Sequence, residues 1–354
     1  MNGDPRGSAE AAGPPISIAQ RLRQPRTIIS ILVPLIVIVA FVYLNRDQLG
    51  TVPQLVLSAN PALFLAAFVV YYLGFPLRGY RWSRLLEGTG TDVSVRDATE
   101  ILFLSWLVNC VVPAKLGDVY RAYLLKINSD ASLSRTFGTV FIERILDLIV
   151  IAILGLAAGF WSFRNGLPPS IQIVAVIGVV VVIVLAGLLL TMRNFGRSIL
   201  VRLPLPERLE ARVVDLYDRF EEGVFGAIAT RRLPLLAGVT VLVWTTESLR
   251  LFLVVQALHF PGVELGLSGA VFVALIGSLL TAVPLSPAGL GIVEAGVVGV
   301  LTAAYGVPLA EATAIALLDR VISVFSVIVL GSIAYLVSKK PAGLPTEVAT
   351  EPGG

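Results

Sequence analysis

Pro287-Ala288-Gly289-Leu290-Gly291-Ile292-Val293-Glu294-Ala295 places a proline and two glycines inside an otherwise unbroken apolar run. A helix does not pass through such a stretch undisturbed, because proline removes a backbone donor and glycine carries the largest entropy cost of ordering. Residues 113–122 echo it as Pro-Ala-Lys-Leu-Gly-Asp-Val-Tyr-Arg-Ala, so that Pro113/Pro287, Ala114/Ala288, Leu116/Leu290, Gly117/Gly291 and Val119/Val293 coincide. Arg144, preceded by Glu143, stands thirty-one residues after Pro113, and Arg320, preceded by Asp319, stands thirty-three after Pro287. The pattern predicts one duplicated unit, a broken hairpin followed by a helix with an acid–Arg pair, over about residues 97–163 and 265–337.

The composition sets the solvent of this architecture. With 56% apolar and 14% charged residues among 354 and a mean hydropathy of +0.86, the chain has too little polar surface for a soluble globule and reads as an all-α polytopic membrane protein. A single cysteine, Cys110, excludes an internal disulfide, and a single histidine, His259, leaves no Cys/His cluster for zinc or haem. The sequence has no phosphate-binding loop and no dinucleotide fingerprint, so no cofactor, metal or nucleic-acid partner is expected.

Hydrophobic length divides the chain further. Residues 1–26 are Gly-, Pro-, Ala- and Arg-rich and read as a disordered cytoplasmic tail; Thr27–Leu44 then spans the membrane as an anchor without a cleavage site. A second span, about Ala62–Leu77, ends in Arg78, Arg81 and Arg84, read as cytoplasmic anchors, with a lipid-phosphate role as the alternative. Residues 99–126 hold only half a span before Pro113 and are read as a re-entrant hairpin, as are 267–304, broken at Pro284, Pro287, Gly289 and Gly291. Full spans are expected at about 136–163, 171–192, 233–258 and 311–337, giving six spans and two hairpins in a membrane domain over 27–338, with a disordered cytoplasmic tail over 339–354. This topology puts 21 of 27 Lys and Arg on the cytoplasmic side, two opposite, and Lys115, Arg144, Arg250 and Arg320 at membrane depth, with both termini cytoplasmic. Three spans separate the units, so the duplication is inverted, an architecture of alternating-access transporters. Between residues 207 and 230, Leu209, Val213, Leu216, Phe220, Val224 and Phe225 recur at helical spacing beside Arg208, Arg212 and Arg219, predicting an amphipathic helix on the inner leaflet.

Charges inside a bilayer are costly and are paired or functional. Glu143, Arg144 and Asp147 share one helix, Asp319 and Arg320 repeat the arrangement, and Glu247 and Arg250 form a third set, all read as ion pairs that join the two halves. From this reading Arg144→Ala is expected to impair folding more than Glu143→Gln. At the breaks, half-helices beginning near Gly117 and Gly291 point positive dipole ends inward, where an anion such as phosphate is stabilised. Lys115, Asp118, Arg121, Ser286 and Gly289 sit at these tips, and Asn109 and Glu294 flank them, so these nine residues are the candidate substrate-binding and translocation site.

Gly79-Tyr80-Arg81-Trp82, the stretch from Asn109 to Arg121, Glu143-Arg144-Ile145-Leu146-Asp147, the stretch from Pro284 to Glu294, and Asp319-Arg320 together resemble the lysylphosphatidylglycerol synthase transmembrane family, also called the flippase-like domain family, over roughly residues 62–338. The resemblance implies movement of a phospholipid or lipid-linked head group between leaflets of the plasma membrane. The two-part proteins of that family continue into a soluble aminoacyl-transfer domain, whereas this sequence stops at Gly354, so the synthase activity is not carried over and no catalytic residue is assigned. The partners expected are membrane lipids, either an anionic phospholipid or a polyprenyl-phosphate-linked lipid. Two alternatives stay open: an intramembrane transferase with Glu143 or Asp147 as base, and a scaffold for a partner lipid-modifying enzyme or glycosyltransferase.

Overall fold

The computed structural model describes residues 43, 46–113, 115–164, 169–202, 206–227, 232–261, 263, 265–281 and 286–342. The expected tail at 1–26, the anchor at Thr27–Leu44 apart from Tyr43, Pro284, and the tail beyond Ala342 lie outside them. The described residues are helical: α1 (Arg46–Leu49), α2 (Val52–Leu57), α3 (Pro61–Glu87), α4 (Val95–Val111), α5 (Leu116–Asn128), α6 (Leu133–Ser162), α7 (Pro169–Val201), α8 (Glu207–Ala227), α9 (Leu233–Leu258), α10 (Leu267–Leu280), α11 (Ile292–Tyr305), α12 (Leu309–Arg320) and α13 (Ser326–Val337). A π turn, Val321–Phe325, joins the last two into one long helix. Four stretches among the described residues are long and apolar enough to cross a membrane: Pro61–Glu87, Leu233–Leu258, Pro287–Tyr305 and Leu309–Val337. This is an all-α membrane protein.

Local chemistry starts the central helices. Asn60 accepts from the Ala62 and Leu63 N–H groups with Pro61 in the first turn of α3, and Ser94 accepts from the Asp97 N–H at the head of α4. Helix α3 then runs ten residues beyond the expected Leu77, to Glu87. Its buried stripe of Tyr71, Gly74, Phe75, Arg78, Trp82 and Leu85 follows the helical period and includes an arginine.

Helices α3 and α9 lie antiparallel through the centre, since Asn60 meets Ala257 and Arg81 meets Thr240. Around them the hairpins are exchanged. Helix α4 packs antiparallel on α13, Leu107 against Gly331 and Glu100 against Ser338. Helix α10 packs antiparallel on α6, Leu275 beside Gly155 and Phe272 beside Gly159. The hairpin of each half therefore leans on the long helix of the other. The turn Pro287–Gly289 rests on α4, so the two tips meet.

Two expectations about the periphery change. The helix expected on the inner leaflet over 207–230 is α8, and much of its apolar face is covered by protein: Val224 and Ala227 are buried with Leu85, Ile142, Ile145 and Leu236. The α8 and α6 backbones touch where Gly223 crosses Gly138. The segment expected as a free tail from Lys339 begins instead with a docked 3-10 turn, Lys340–Ala342, held by Asp97 on the Lys340 ammonium and by the Asn128 amide on its carbonyl.

A charged cavity between the two hairpin tips

The left-handed residues mark the tips. Lys115, the residue before α5, has φ 51°, and Gly291, the residue before α11, has φ 83°; Ala288 and Gly289 in the second tip also have positive φ. Each new half-helix carries an acid at its third residue, Asp118 and Glu294, where the helix dipole favours negative charge. Each acid holds an arginine from the following long helix. Asp118 takes Arg144 through both carboxylate oxygens, at 2.7 and 3.1 Å, and Glu294 takes Arg320 at 2.9 Å. Arg144 follows Asp118 by 26 residues, and Arg320 follows Glu294 by the same interval.

These helices surround a cavity of about 170 Å³, room for roughly half a dozen waters or a phosphate-sized group with its hydration. Asn109, Lys115, Ser286 and Gly289 line it, as do Arg144, Asp147, Glu247, Arg250, Asp319 and Arg320. Gly117, Asp118, Arg121, Gly291 and Glu294 are expected in the same space but stand behind its wall, as does Glu143. Arg121 is fully buried between the Trp82 ring and Glu143 and does not reach the cavity. The tip donors are also engaged: the Gly117 N–H donates to Asn109 Oδ1 at 2.8 Å, and the Gly291 N–H donates to Glu294 Oε2 at 2.6 Å. The expectation that freed backbone N–H groups receive the anion does not hold for these two.

Most of the ion pairs run between helices, while Glu247–Arg250 and Arg144–Asp147 close within one helix as expected. Arg81 from α3 holds Asp147 at 2.6 Å and Glu143 at 3.2 Å, and Glu143 also holds Arg121. Arg78 and Arg250 share Glu247, and Arg250 grips Asp319. Arg78 and Arg81, read from sequence as cytoplasmic anchors, are 3% and 1% exposed and belong to this buried network; Arg84 alone of the three stays near the surface, with Glu87. Residues not singled out from sequence complete the wall, chiefly Tyr71, Trp106, Trp244, Ser278, Thr281 and Ser323. Trp106 lies 5.1 Å from the Arg78 guanidinium carbon and 5.9 Å from that of Arg144, and the Trp244 indole donates to Asp147.

The network does not balance. In and behind the wall stand seven basic side chains, Arg78, Arg81, Lys115, Arg121, Arg144, Arg250 and Arg320, against six acids, Asp118, Glu143, Asp147, Glu247, Glu294 and Asp319. Every arginine has an acid. The Lys115 ammonium has no ion pair among the described residues, although it faces the cavity. Arg78 Nη1 and Arg320 Nη2 also have no hydrogen-bond partner, but both are sealed from the cavity, Arg78 Nη1 lying against Gly74. The wall therefore presents one cation, Lys115, without an ion pair among the described residues.

A polytopic helical membrane protein with a cationic polar chamber is the class these features define. The chain belongs to the family described as lysylphosphatidylglycerol synthase TM region, whose model matches residues 27–331. It is 34% identical over 233 residues to a UPF0104 membrane protein of Methanocaldococcus jannaschii, covering 66% of this chain and 94% of that one. It is 27% identical over 352 residues to a protein named glycosyltransferase AglD of Haloferax volcanii, covering 91% of this chain but only 56% of that protein. A UPF0104 membrane protein of Methanothermobacter thermautotrophicus is 27% identical over 290 residues, 77% of this chain and 82% of its own length.

Proposed function

We propose that this protein moves an anionic phospholipid or lipid-linked head group between the leaflets of the plasma membrane. The observation that carries the reading is the unbalanced wall: Lys115, with no ion pair among the described residues, lines a cavity sized for a head group and not for acyl chains. The exchanged packing of the hairpins supports the inverted repeat of six spans and two re-entrant hairpins, because helices of opposite direction from the two units face each other across one cavity. One end of the bundle gathers Arg84, Arg96, Lys126, Arg135, Arg232, Lys339 and Lys340, and that basic end supports a cytoplasmic placement of the C-terminus.

Reconstitution into vesicles with a fluorescent phosphatidylglycerol tests the transport. Wild type is expected to expose the label to an external quencher faster than empty vesicles, and Lys115→Met to lose the gain; equal rates in wild type and empty vesicles overturn the reading. Topology is tested by Gly166→Cys and Lys339→Cys in a Cys110→Ala background, where labelling of both from the same side removes the inversion. The relative named a glycosyltransferase favours a second reading, in which this chain serves lipid-linked sugar chemistry, as a transferase or as the membrane scaffold of one. A new lipid species by mass spectrometry supports the transferase, and inertness until a glycosyltransferase is added supports the scaffold.

A further inference from the structure

We infer that the cavity is built for a single negative charge, a phosphodiester monoanion, and discriminates against a doubly charged phosphomonoester or pyrophosphate. The inference rests on the transport reading for the source of the ligand but not for its charge. Seven cations and six acids leave one positive charge over. A diester neutralises it, whereas a dianion leaves a net negative charge in a space walled by Leu251, Ala274, Val293, Val297 and Val324, where an unpaired charge is poorly screened.

The donors fit the same ligand. A diester phosphate has two unesterified oxygens, and the wall offers the Lys115 ammonium, the guanidinium–acid pairs around the cavity being already closed. A dianion with three terminal oxygens needs more donors than the wall supplies, unless Arg144 or Arg320 leaves its carboxylate.

The test uses the whole protein in neutral detergent, with the emission of Trp106 and Trp244 as the reporter and a Trp106→Phe variant to assign the signal. Three soluble probes at pH 7 separate the charges: glycerophosphoglycerol (−1), glycerol 3-phosphate, mostly doubly charged there because the second pKa of a phosphomonoester is about 6, and zwitterionic glycerophosphocholine. The diester is expected to bind roughly tenfold tighter than either other probe, about 1.4 kcal/mol. Lys115→Met should abolish that preference and Lys115→Arg keep it; Asp118 keeps its ion pair with Arg144 in both, so neither change strands a buried carboxylate. Phosphatidylglycerol in mixed micelles binding more tightly than its soluble head group assigns the site to a lipid, and equal affinity assigns it to a free diester. Equal or tighter binding of glycerol 3-phosphate, or unchanged preference in Lys115→Met, overturns the inference even if lipid transport is observed. Diester preference without transport in vesicles leaves the inference standing and removes the transport reading.

Discussion

The two hairpin tips share a frame and differ in charge. Each begins its second half-helix from a left-handed residue, places an acid at the third position, and ties that acid to an arginine 26 residues on. In that frame Lys115 stands where Gly291 stands, and Gly117 has no glycine counterpart. Aligning the prolines instead pairs Gly117 with Gly291, two residues out of step, because the second tip holds an extra 3-10 turn, Pro287–Gly289. The thirty-one against thirty-three spacing is that insertion. The comparison teaches that the duplicated part is the acid–arginine latch, while the free cation belongs to the first unit alone.

The largest difference between the halves should come from their next acids. Glu143 and Asp319 each precede the latch arginine, yet Glu143 is 1% exposed and is the only acid paired with Arg121 among the described residues, whereas Arg250 keeps Glu247 if Asp319 is lost. Glu143→Gln should therefore destabilise by about 3–5 kcal/mol, and Asp319→Asn by about 1–3 kcal/mol, measured by denaturation in detergent. Equal costs would mean that the halves are energetically interchangeable. The same geometry reverses the sequence-based ranking of Glu143→Gln below Arg144→Ala, because the Arg144 side chain is 28% exposed and its removal orphans one partly exposed acid.

The latches themselves come next. Arg144 has Asp147 at 3.8 Å as a second acid, but Arg320 has only Glu294, which also caps its own half-helix. Glu294→Gln is expected to cost about 1.5–3 kcal/mol and Asp118→Asn about 1 kcal/mol. Thermal shifts in the opposite order would show that the second unit is the more tolerant one.

The glycines that coincide in sequence should fail for different reasons. A Cβ on Gly117 collides with the Ser105 carbonyl and the Asn109 side chain, so Gly117→Ala should cost about 1–3 kcal/mol and also weaken anion binding by displacing a cavity residue. Gly291→Ala meets a backbone at φ 83° and should cost about 1–2 kcal/mol, leaving binding to the retained Lys115 largely intact. Equal loss of binding in both would make the tips a single rigid element.

What the sequence made legible follows from what is local. Lengths of apolar runs and the Pro/Gly breaks located the helices and both tips, and the membrane-depth charges included every acid of the network. Partners were not legible. Adjacent residues on a helix point about 100° apart, so Glu143 and Arg144 address different neighbours although they sit side by side in the chain. Arg78 and Arg81 read as anchors because arginines after an apolar run usually are; the signal against it is the stripe from Tyr71 to Leu85, which Arg78 continues in register. Arg121 lies six residues beyond Lys115, nearly two turns along α5, which carries it away from the tip and into the core.

The smallest effect belongs to an ion pair outside both latches. Lys340 Nζ lies 2.6 Å from Asp97 Oδ1, with side chains 23% and 42% exposed, in reach of solvent ions. Lys340→Ala should cost only about 0.2–1 kcal/mol, and about 1 M salt, with a screening length near 3 Å, should erase the difference. The hydrogen bond from Lys340, with help from Ser94, holds the Asp97 carboxyl below the usual carboxylate range. A depressed folded-state pKa means that the contribution is complete above the unfolded value of about 4 and is lost as pH falls through the folded one. Wild type and Lys340→Ala should thus differ at pH 7 and converge in strong acid. A gap that survives both salt and acid would place this contact in the same buried class as Arg81 and Glu143, and would remove the contrast between a solvated end and a dry, charged centre.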